Sequence, residues 1–122
     1  MESKPTELRI LVVEDSPVIA MATEDMLRAF GHMPLGPVGN MADALASVEN
    51  EEMDAAIVDL NIRGTKVFSL LSILERRGIP FLIVSGYADW KMPNEWARRP
   101  RLQKPFSETQ LRDKLTDVLG SR

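Results

Sequence analysis

The sequence predicts an α/β fold: a doubly wound, five-stranded parallel sheet with helices on both faces. Strand-like apolar segments begin near Leu8, Met33, Ala55, Pro80 and Arg101, at steps of 25, 22, 25 and 21 residues. Segments with helical apolar spacing lie between them, the alternation of a (βα)5 chain. Segments 1, 3 and 4 are almost wholly apolar, as parallel strands covered on both faces must be.

The elements follow in order. Ile10-Leu11-Val12-Val13 is the first strand. Ser16-Pro17 then supplies an N-cap and a proline at the first helical position. Ile19, Ala22, Met26, Leu27 and Phe30 make one stripe of the first helix, and Gly31 can end it. Segment 2 (residues 33–38) carries Pro34 and Pro37, which only an edge strand tolerates. Asn40 with Asp43 resembles a capping arrangement for a second helix with stripe Met41, Ala44, Leu45 and Val48. After the third strand, Ala55-Ala56-Ile57-Val58, the stripe Val67, Leu70, Leu71 and Leu74 marks a helix stopped at Gly78. The fourth strand is Phe81-Leu82-Ile83-Val84. Pro93 breaks any long helix between Gly86 and Pro100, so only irregular turns are expected there. The fifth strand, from Arg101, is short and polar, which suits the other edge. Ser107 with Gln110 forms a capping-box pattern before Leu111, Leu115, Val118 and Leu119. Right-handed crossovers and these edges give the strand order 2-1-3-4-5. Residues 1–7 read as a flexible N-terminal tail and residues 8–120 as the domain.

Composition excludes much. At 122 residues the chain is one domain, long enough to bury a core without staples. With no cysteine and one histidine, His32, neither disulfides nor thiolate or histidine-rich metal sites are available. A net charge of −3 gives no general attraction to nucleic acid or to acidic membranes. The first residues lack the apolar core of a signal peptide, and no apolar run approaches the ~18 residues of a membrane span. A cytoplasmic protein is expected.

The strand ends carry the chemistry. Glu14 and Asp15 follow strand 1, Asp59 closes strand 3, Ser85 closes strand 4 and Lys104 follows strand 5. If the strands are parallel, all five meet at the carboxyl edge of the sheet, where open α/β sheets place their sites. Three acids so close repel one another, and a hard divalent cation compensates them. Mg²⁺ suits such oxygen donors, with Mn²⁺ a second candidate. Asp59 can then act as a nucleophile that accepts a phosphoryl group. Lys104 and Ser85 can bind phosphoryl oxygens. Pro105 would aim Lys104, and a cis Lys104-Pro105 bond is expected.

These same residues carry a family resemblance. Leu11-Val12-Val13-Glu14-Asp15-Ser16, Ile57-Val58-Asp59-Leu60-Asn61, Ile83-Val84-Ser85-Gly86-Tyr87 and Leu102-Gln103-Lys104-Pro105-Phe106 resemble the motif set of response-regulator receiver domains. The resemblance covers about residues 8 to 119. It implies a flavodoxin-like fold and a phosphoryl-accepting switch in two-component signalling, in which Asp59 takes phosphate from a histidine kinase or histidine phosphotransfer protein. It further implies that Glu14, Asp15, Asp59 and the Asn61 carbonyl hold Mg²⁺, that Ser85 is the switch hydroxyl and that Lys104 is the conserved-type lysine. A downstream protein partner is implied, and neither nucleic acid nor membrane. Two departures matter. Glu14 stands where many receivers have a second aspartate, and Arg101 stands where an aromatic second switch is usual. With Tyr87 two positions after the hydroxyl, the chain resembles the alphaproteobacterial single-domain subclass whose fourth strand reads roughly Phe-Ala-Thr-Gly-Tyr. Tyr87 and Arg101 are therefore the secondary switch candidates. As the chain ends just after the fifth helix, no output domain is expected, and no enzymatic activity beyond self-catalysed phosphotransfer and slow dephosphorylation.

Plainer readings stand beside these. Met21, Met26, Met41 and Met53 are expected to fill core gaps. Trp90 and Trp96 are either packing or partner anchors. Arg98, Arg99 and Arg101 form a solvated basic face, His32 is inert, and Gly64-Thr65-Lys66 lacks the spacing of a phosphate-binding loop. A metal-dependent phosphohydrolase is the competing enzyme reading, but Asn61 stands where its general acid would be. A non-phosphorylated pseudo-receiver is the third, and the intact acids, Ser85 and Lys104 argue against it.

Overall fold

The structure, a computed structural model, describes residues 7–86 and 93–120. The expected tail (except Glu7), Tyr87, Trp90 and Met92 lie outside the described residues. The elements are β1 (Arg9–Val13), α1 (Pro17–Ala29), β2 (Met33–Val38), α2 (Met41–Asn50), β3 (Ala55–Asp59), β4 (Asn61–Ile62), β5 (Thr65–Lys66), α3 (Phe68–Arg76), β6 (Phe81–Ser85), α4 (Asn94–Ala97), β7 (Arg101–Gln103) and α5 (Glu108–Gly120). The main sheet is wholly parallel, in the order β2-β1-β3-β6-β7. With the small β4–β5 hairpin set aside, this is the order 2-1-3-4-5.

Side-chain alternation divides the core between the faces of the sheet. Leu11, Val13, Ala56, Val58, Phe81 and Ile83 pack with α2 and α3 on one face. Ile10, Val12, Ala55, Ile57, Leu82 and Val84 pack with α1 and α5 on the other. Each fully buried isoleucine or leucine contributes roughly 1.5–3 kcal/mol of transfer free energy, so the three central strands are the anchor of everything else. The edge assignments follow from the same logic, since β2 and β7 hold the prolines and polar residues that central strands exclude.

The starts of α1, α2 and α5 are capped as their sequences imply. The Ser16 hydroxyl accepts from Ile19 N–H, and Asn40 Oδ1 accepts from Asp43 N–H. Ser107 and Gln110 exchange a reciprocal pair of bonds. Gly31 and Gly78 take the left-handed conformation after α1 and α3.

Several features differ from the sequence expectation. The buried line of α1 is Ala20, Thr23 and Leu27, while Ala22 is exposed and Ile19, Met26 and Phe30 only flank it. Thr23 is tolerated there because its hydroxyl donates to Ile19 O at 2.8 Å. Met21 does not fill the core but is 60% exposed on the outer side of α1. The β4–β5 hairpin was not expected at all. Its two-residue turn, Arg63-Gly64, holds φ +53° and +83°, the left-handed pair of a type I′ turn. Asn-Gly or Asp-Gly would have announced such a turn; arginine does not.

On the other hand α4 is a single turn after Pro93, as the proline demanded. Trp96 resolves as packing: it is buried and meets Phe81 edge-on at 5.9 Å. Arg99 belongs to this cluster rather than to a solvated basic face. Its guanidinium lies 5.4 Å from the Phe81 ring centre and 5.1 Å from that of Trp96, and it pairs with Glu75 at 2.8 Å.

The pairing of β2 with β1 shifts register between Leu11 and Val13, where Leu35 to Val38 spans one extra residue. Gly36 makes this bulge, at φ +92°. The shift brings Val38 O to 3.0 Å from Glu14 N, so the bulge sets where Glu14 leaves the sheet. A Cβ on Gly36 would lie 2.9 Å from Val38 N and 3.1 Å from Val12 O, both backbone atoms that cannot give way. A Cβ on Gly64 would meet nothing within 4 Å. Gly36→Ala should therefore destabilise by about 1–3 kcal/mol and by clearly more than Gly64→Ala, read by urea unfolding; equal losses would show that the bulge is not tightly packed.

Candidate phosphoryl-transfer site

The site grows out of backbone pairing that continues one residue past the strands. Glu14 N donates to Val38 O, Leu60 N to Val84 O at 2.8 Å, and Lys104 N to Ser85 O at 2.9 Å. Asp59 is in register with Val84, and Ser85 with Gln103. The side chains that close β3 and β6 and those that follow β1 and β7 thus leave fixed points along one edge.

Glu14, Asp15 and Asp59 each place a carboxylate oxygen within 4.8 Å of those of the others. Glu14 and Asp59 are buried and Asp15 is half-buried. Lys104 Nζ donates to Asp59 Oδ2 at 3.0 Å and to Glu14 Oε1 at 3.3 Å. Main-chain donors hold the remaining oxygens: Asn61 N–H on Asp59 Oδ1 at 3.2 Å, Ser16 N–H on Glu14 Oε2 at 3.0 Å, and Arg63 N–H on Asp15 Oδ2 at 2.8 Å. Both oxygens of Asp59 are therefore oriented, one by an amide and one by an ammonium.

Three carboxylates face one ammonium. Burial, with the charge of Asp59 behind it, pushes the Glu14 carboxyl up to about 7, against the opposing pull of the Ser16 amide and Lys104. Burial alone would lower the Lys104 ammonium, but its hydrogen bond and charge contact with Asp59, then those with Glu14, raise it above the ordinary lysine value. The donor set fits a hard divalent cation such as Mg²⁺, since it is all oxygen, anionic and convergent.

Of the residues singled out in the sequence, Glu14, Asp15, Asp59 and Lys104 are brought together. Ser85 is buried at the end of β6, joined to Lys104 through the main chain, and Asn61 touches Asp59 through its amide. Arg101 lies away from the acids along the edge strand, in register with Ile83. Tyr87 lies outside the described residues. The Lys104-Pro105 bond is cis. His32 Nδ1 accepts from Leu8 N–H at 3.2 Å, a structural bond. The contribution of Arg63 is missing from the sequence reading because it comes from an amide, which every non-proline residue carries. Beside Lys104, an apolar groove of about 340 Å³ runs between α1 and the segment Pro105-Phe106, lined also by Val18, Ile19, Ala22 and Met26.

Comparison with known proteins decides the family. Residues 10–116 match the response regulator receiver domain. This chain belongs to that family. Protein PilH of Pseudomonas aeruginosa is 30% identical over 92% of this chain and 98% of its own length. The 3',5'-cyclic-nucleotide phosphodiesterase regA of Dictyostelium discoideum is 28% identical over 98% of this chain, which spans only 16% of that enzyme. Among solved structures, SdrG from Sphingomonas melonis Fr1 is 40% identical with a TM-score of 0.84, over 93% of this chain and 97% of that one. The receiver domain of a sensor histidine kinase from Pseudomonas aeruginosa PAO1, solved with magnesium in its active-site cleft, is 26% identical with a TM-score of 0.74, over 94% and 99%. Receiver domains are typically signalling modules. They bind Mg²⁺ at an acidic pocket, are phosphorylated by histidine kinases and contact other proteins. In this receiver Glu14, Asp15 and Asp59 form an acidic cluster of that kind. No helix of the described residues is long and apolar enough to cross a membrane.

The raised Glu14 carboxyl has a defined sign. Its folded value lies above its unfolded one, so without metal the stability it contributes is fully present below about pH 4.5 and is lost as pH rises through about 7. In the metal-free protein, the Glu14 side-chain carbon resonance should titrate with a midpoint near 7, and Mg²⁺ should abolish that step by displacing the proton. A midpoint in the ordinary glutamate range would contradict the burial and crowding described here.

Proposed function

We propose that this receiver accepts a phosphoryl group on Asp59 from a phosphohistidine of a histidine kinase or histidine phosphotransfer protein, and that the modification changes its contacts with a downstream protein. The observation that carries this reading is the orientation of Asp59, whose two oxygens are held by Asn61 N–H and Lys104 among two further acids. A carboxylate fixed in this way is a nucleophile pointed in one direction, and that positioning supplies much of phosphoryl-transfer catalysis.

In the transfer, an Asp59 oxygen attacks phosphorus while the bond from phosphorus to the donor imidazole nitrogen breaks. The electron pair stays on that nitrogen. Lys104 follows the growing negative charge from Asp59 onto a phosphoryl oxygen, and the Ser85 hydroxyl donates to another. Glu14, Asp15 and Asp59, with the Asn61 carbonyl, would hold Mg²⁺ (or Mn²⁺), which supplies the positive charge an anionic phosphoryl group needs to approach three acids. Slow attack of water on the acyl phosphate resets the switch.

The donor must bring its histidine to Asp59, so its surface has to cover the rim of the site. That rim includes the apolar groove beside Lys104, with the exposed Val18 of α1 in its lining. A protein donor with an apolar face suits it. On the output side, engagement of Ser85 pulls on the end of β6 and the segment beyond it, so Tyr87 and the half-buried edge residue Arg101 are the proposed secondary relays. The functional unit is residues 8–120 of a cytoplasmic protein.

The test is intact mass over time with Mg²⁺ and acetyl phosphate. One phosphate should be gained and slowly lost, with no gain in Asp59→Asn or in excess chelator. Sustained turnover of ordinary phosphomonoesters would replace this reading with a phosphohydrolase. No adduct with acetyl phosphate or a cognate kinase would make the chain a pseudo-receiver.

A further inference from the structure

Arg63 is a non-glycine residue held at φ +53°, and it is the only such residue among those described. Such a conformation persists where the surroundings over-determine it, and it clusters at functional sites. The surroundings here are rigid. Leu60, Ile62 and Val67 are fully buried, Val67 N donates to Leu60 O at 3.1 Å, and Leu60 N is tied to β6. The loop from β3 to α3 is thus closed on itself and pinned to the core by Leu60, Ile62 and Val67, while residues 63–66 are exposed, with Arg63-Gly64 at the tip. That tip does one thing visible in the structure: Arg63 N–H donates to Asp15 Oδ2 at 2.8 Å, across 48 residues of sequence. Asp15 is the least buried of the three acids. The other two are held by Lys104, whereas the hydrogen bond donated by Arg63 N–H is what fixes Asp15.

We propose that the β4–β5 hairpin is a positioning device for the metal centre: its left-handed turn delivers the Arg63 main-chain N–H to Asp15 and holds that carboxylate in the orientation a divalent cation requires. Arg63 is a positioning residue, acting through its amide and not through its guanidinium. The proposal deepens the reading of the acid cluster as a Mg²⁺ site and rests on it. Groups that orient a metal ligand commonly change affinity about 10–100-fold when lost.

The test compares Arg63→Ile with Arg63→Gly by Mg²⁺ titration calorimetry, alongside amide hydrogen exchange of the metal-free protein. A β-branched residue resists positive φ, so Arg63→Ile should weaken Mg²⁺ binding about tenfold. Glycine accepts that φ and keeps the amide, so Arg63→Gly should rescue the affinity. In the metal-free parent the Arg63 amide should be protected from exchange, and Asp15→Ala should remove that protection. Unchanged Mg²⁺ affinity in Arg63→Ile overturns the proposal. So does an equal loss in Arg63→Gly, which would assign the effect to the guanidinium. An Arg63 amide that exchanges equally fast in the parent and in Asp15→Ala overturns it without any hairpin variant. If the parent binds no Mg²⁺, the metal reading fails and takes this role with it; the exchange measurement tells that failure apart from a missing Arg63–Asp15 bond.

Discussion

The mutual repulsion of Glu14, Asp15 and Asp59 is the constraint around which this edge of the protein is built. Two unit charges about 4 Å apart interact by roughly 4 kcal/mol at an effective dielectric near 20. Several such contacts are comparable with the whole stability of a small domain, about 5–15 kcal/mol. Three acids within 4.8 Å of one another therefore demand compensation. Lys104 offers one positive charge to two of them, and a divalent cation would balance what remains. Until it binds, Glu14 keeps its proton up to about pH 7.

The compensation that the chain itself provides is mostly backbone. The amides of Ser16, Asn61 and Arg63 each engage one carboxylate oxygen, and each lies just past a strand end or in the turn of the hairpin. They can do so because β1, β3 and β6 are buried on both faces and paired in unbroken register. The apolar core and the acidic site are thus one construction. Burial fixes the strands, the strands fix the amides, and the amides fix the acids. A phosphoryl group on Asp59 would add further negative charge to this balance, and the redistribution of Lys104 and Ser85 toward it is the proposed origin of switching.

Much of this was legible in the residues. Apolar runs with steps near 23 residues specified the alternation, the prolines of β2 and the polarity of β7 specified the edges, and polar residues at strand ends specified the site. Capping pairs such as Ser107 with Gln110 were readable because side chains carry them. What was not legible is carried by backbone or by long-range packing. The β4–β5 turn lacks asparagine or aspartate, and the Gly36 bulge shows only in register. The buried line of α1 runs through Thr23 because its hydroxyl is satisfied within the helix, a choice that hydrophobic spacing misreads by one position. Met21 likewise reads as a core filler yet is exposed on α1. Arg99 reads as surface charge until its guanidinium is found against the paired rings of Phe81 and Trp96.

The dependence of thermal stability on Mg²⁺ tests the charge balance most directly. Melting would be followed at pH 8, where Glu14 is ionised, with ionic strength held constant by sodium chloride. Binding to the folded state alone raises stability by RT ln(1 + [Mg²⁺]/Kd), so the melting temperature should climb along a one-site curve. The climb should vanish when Glu14 and Asp15 are both replaced by alanine, and that variant should lose less stability between pH 5 and pH 8 than the parent. A parent melting temperature independent of Mg²⁺, or a rise that survives loss of both acids, would contradict the role assigned here to the acid cluster.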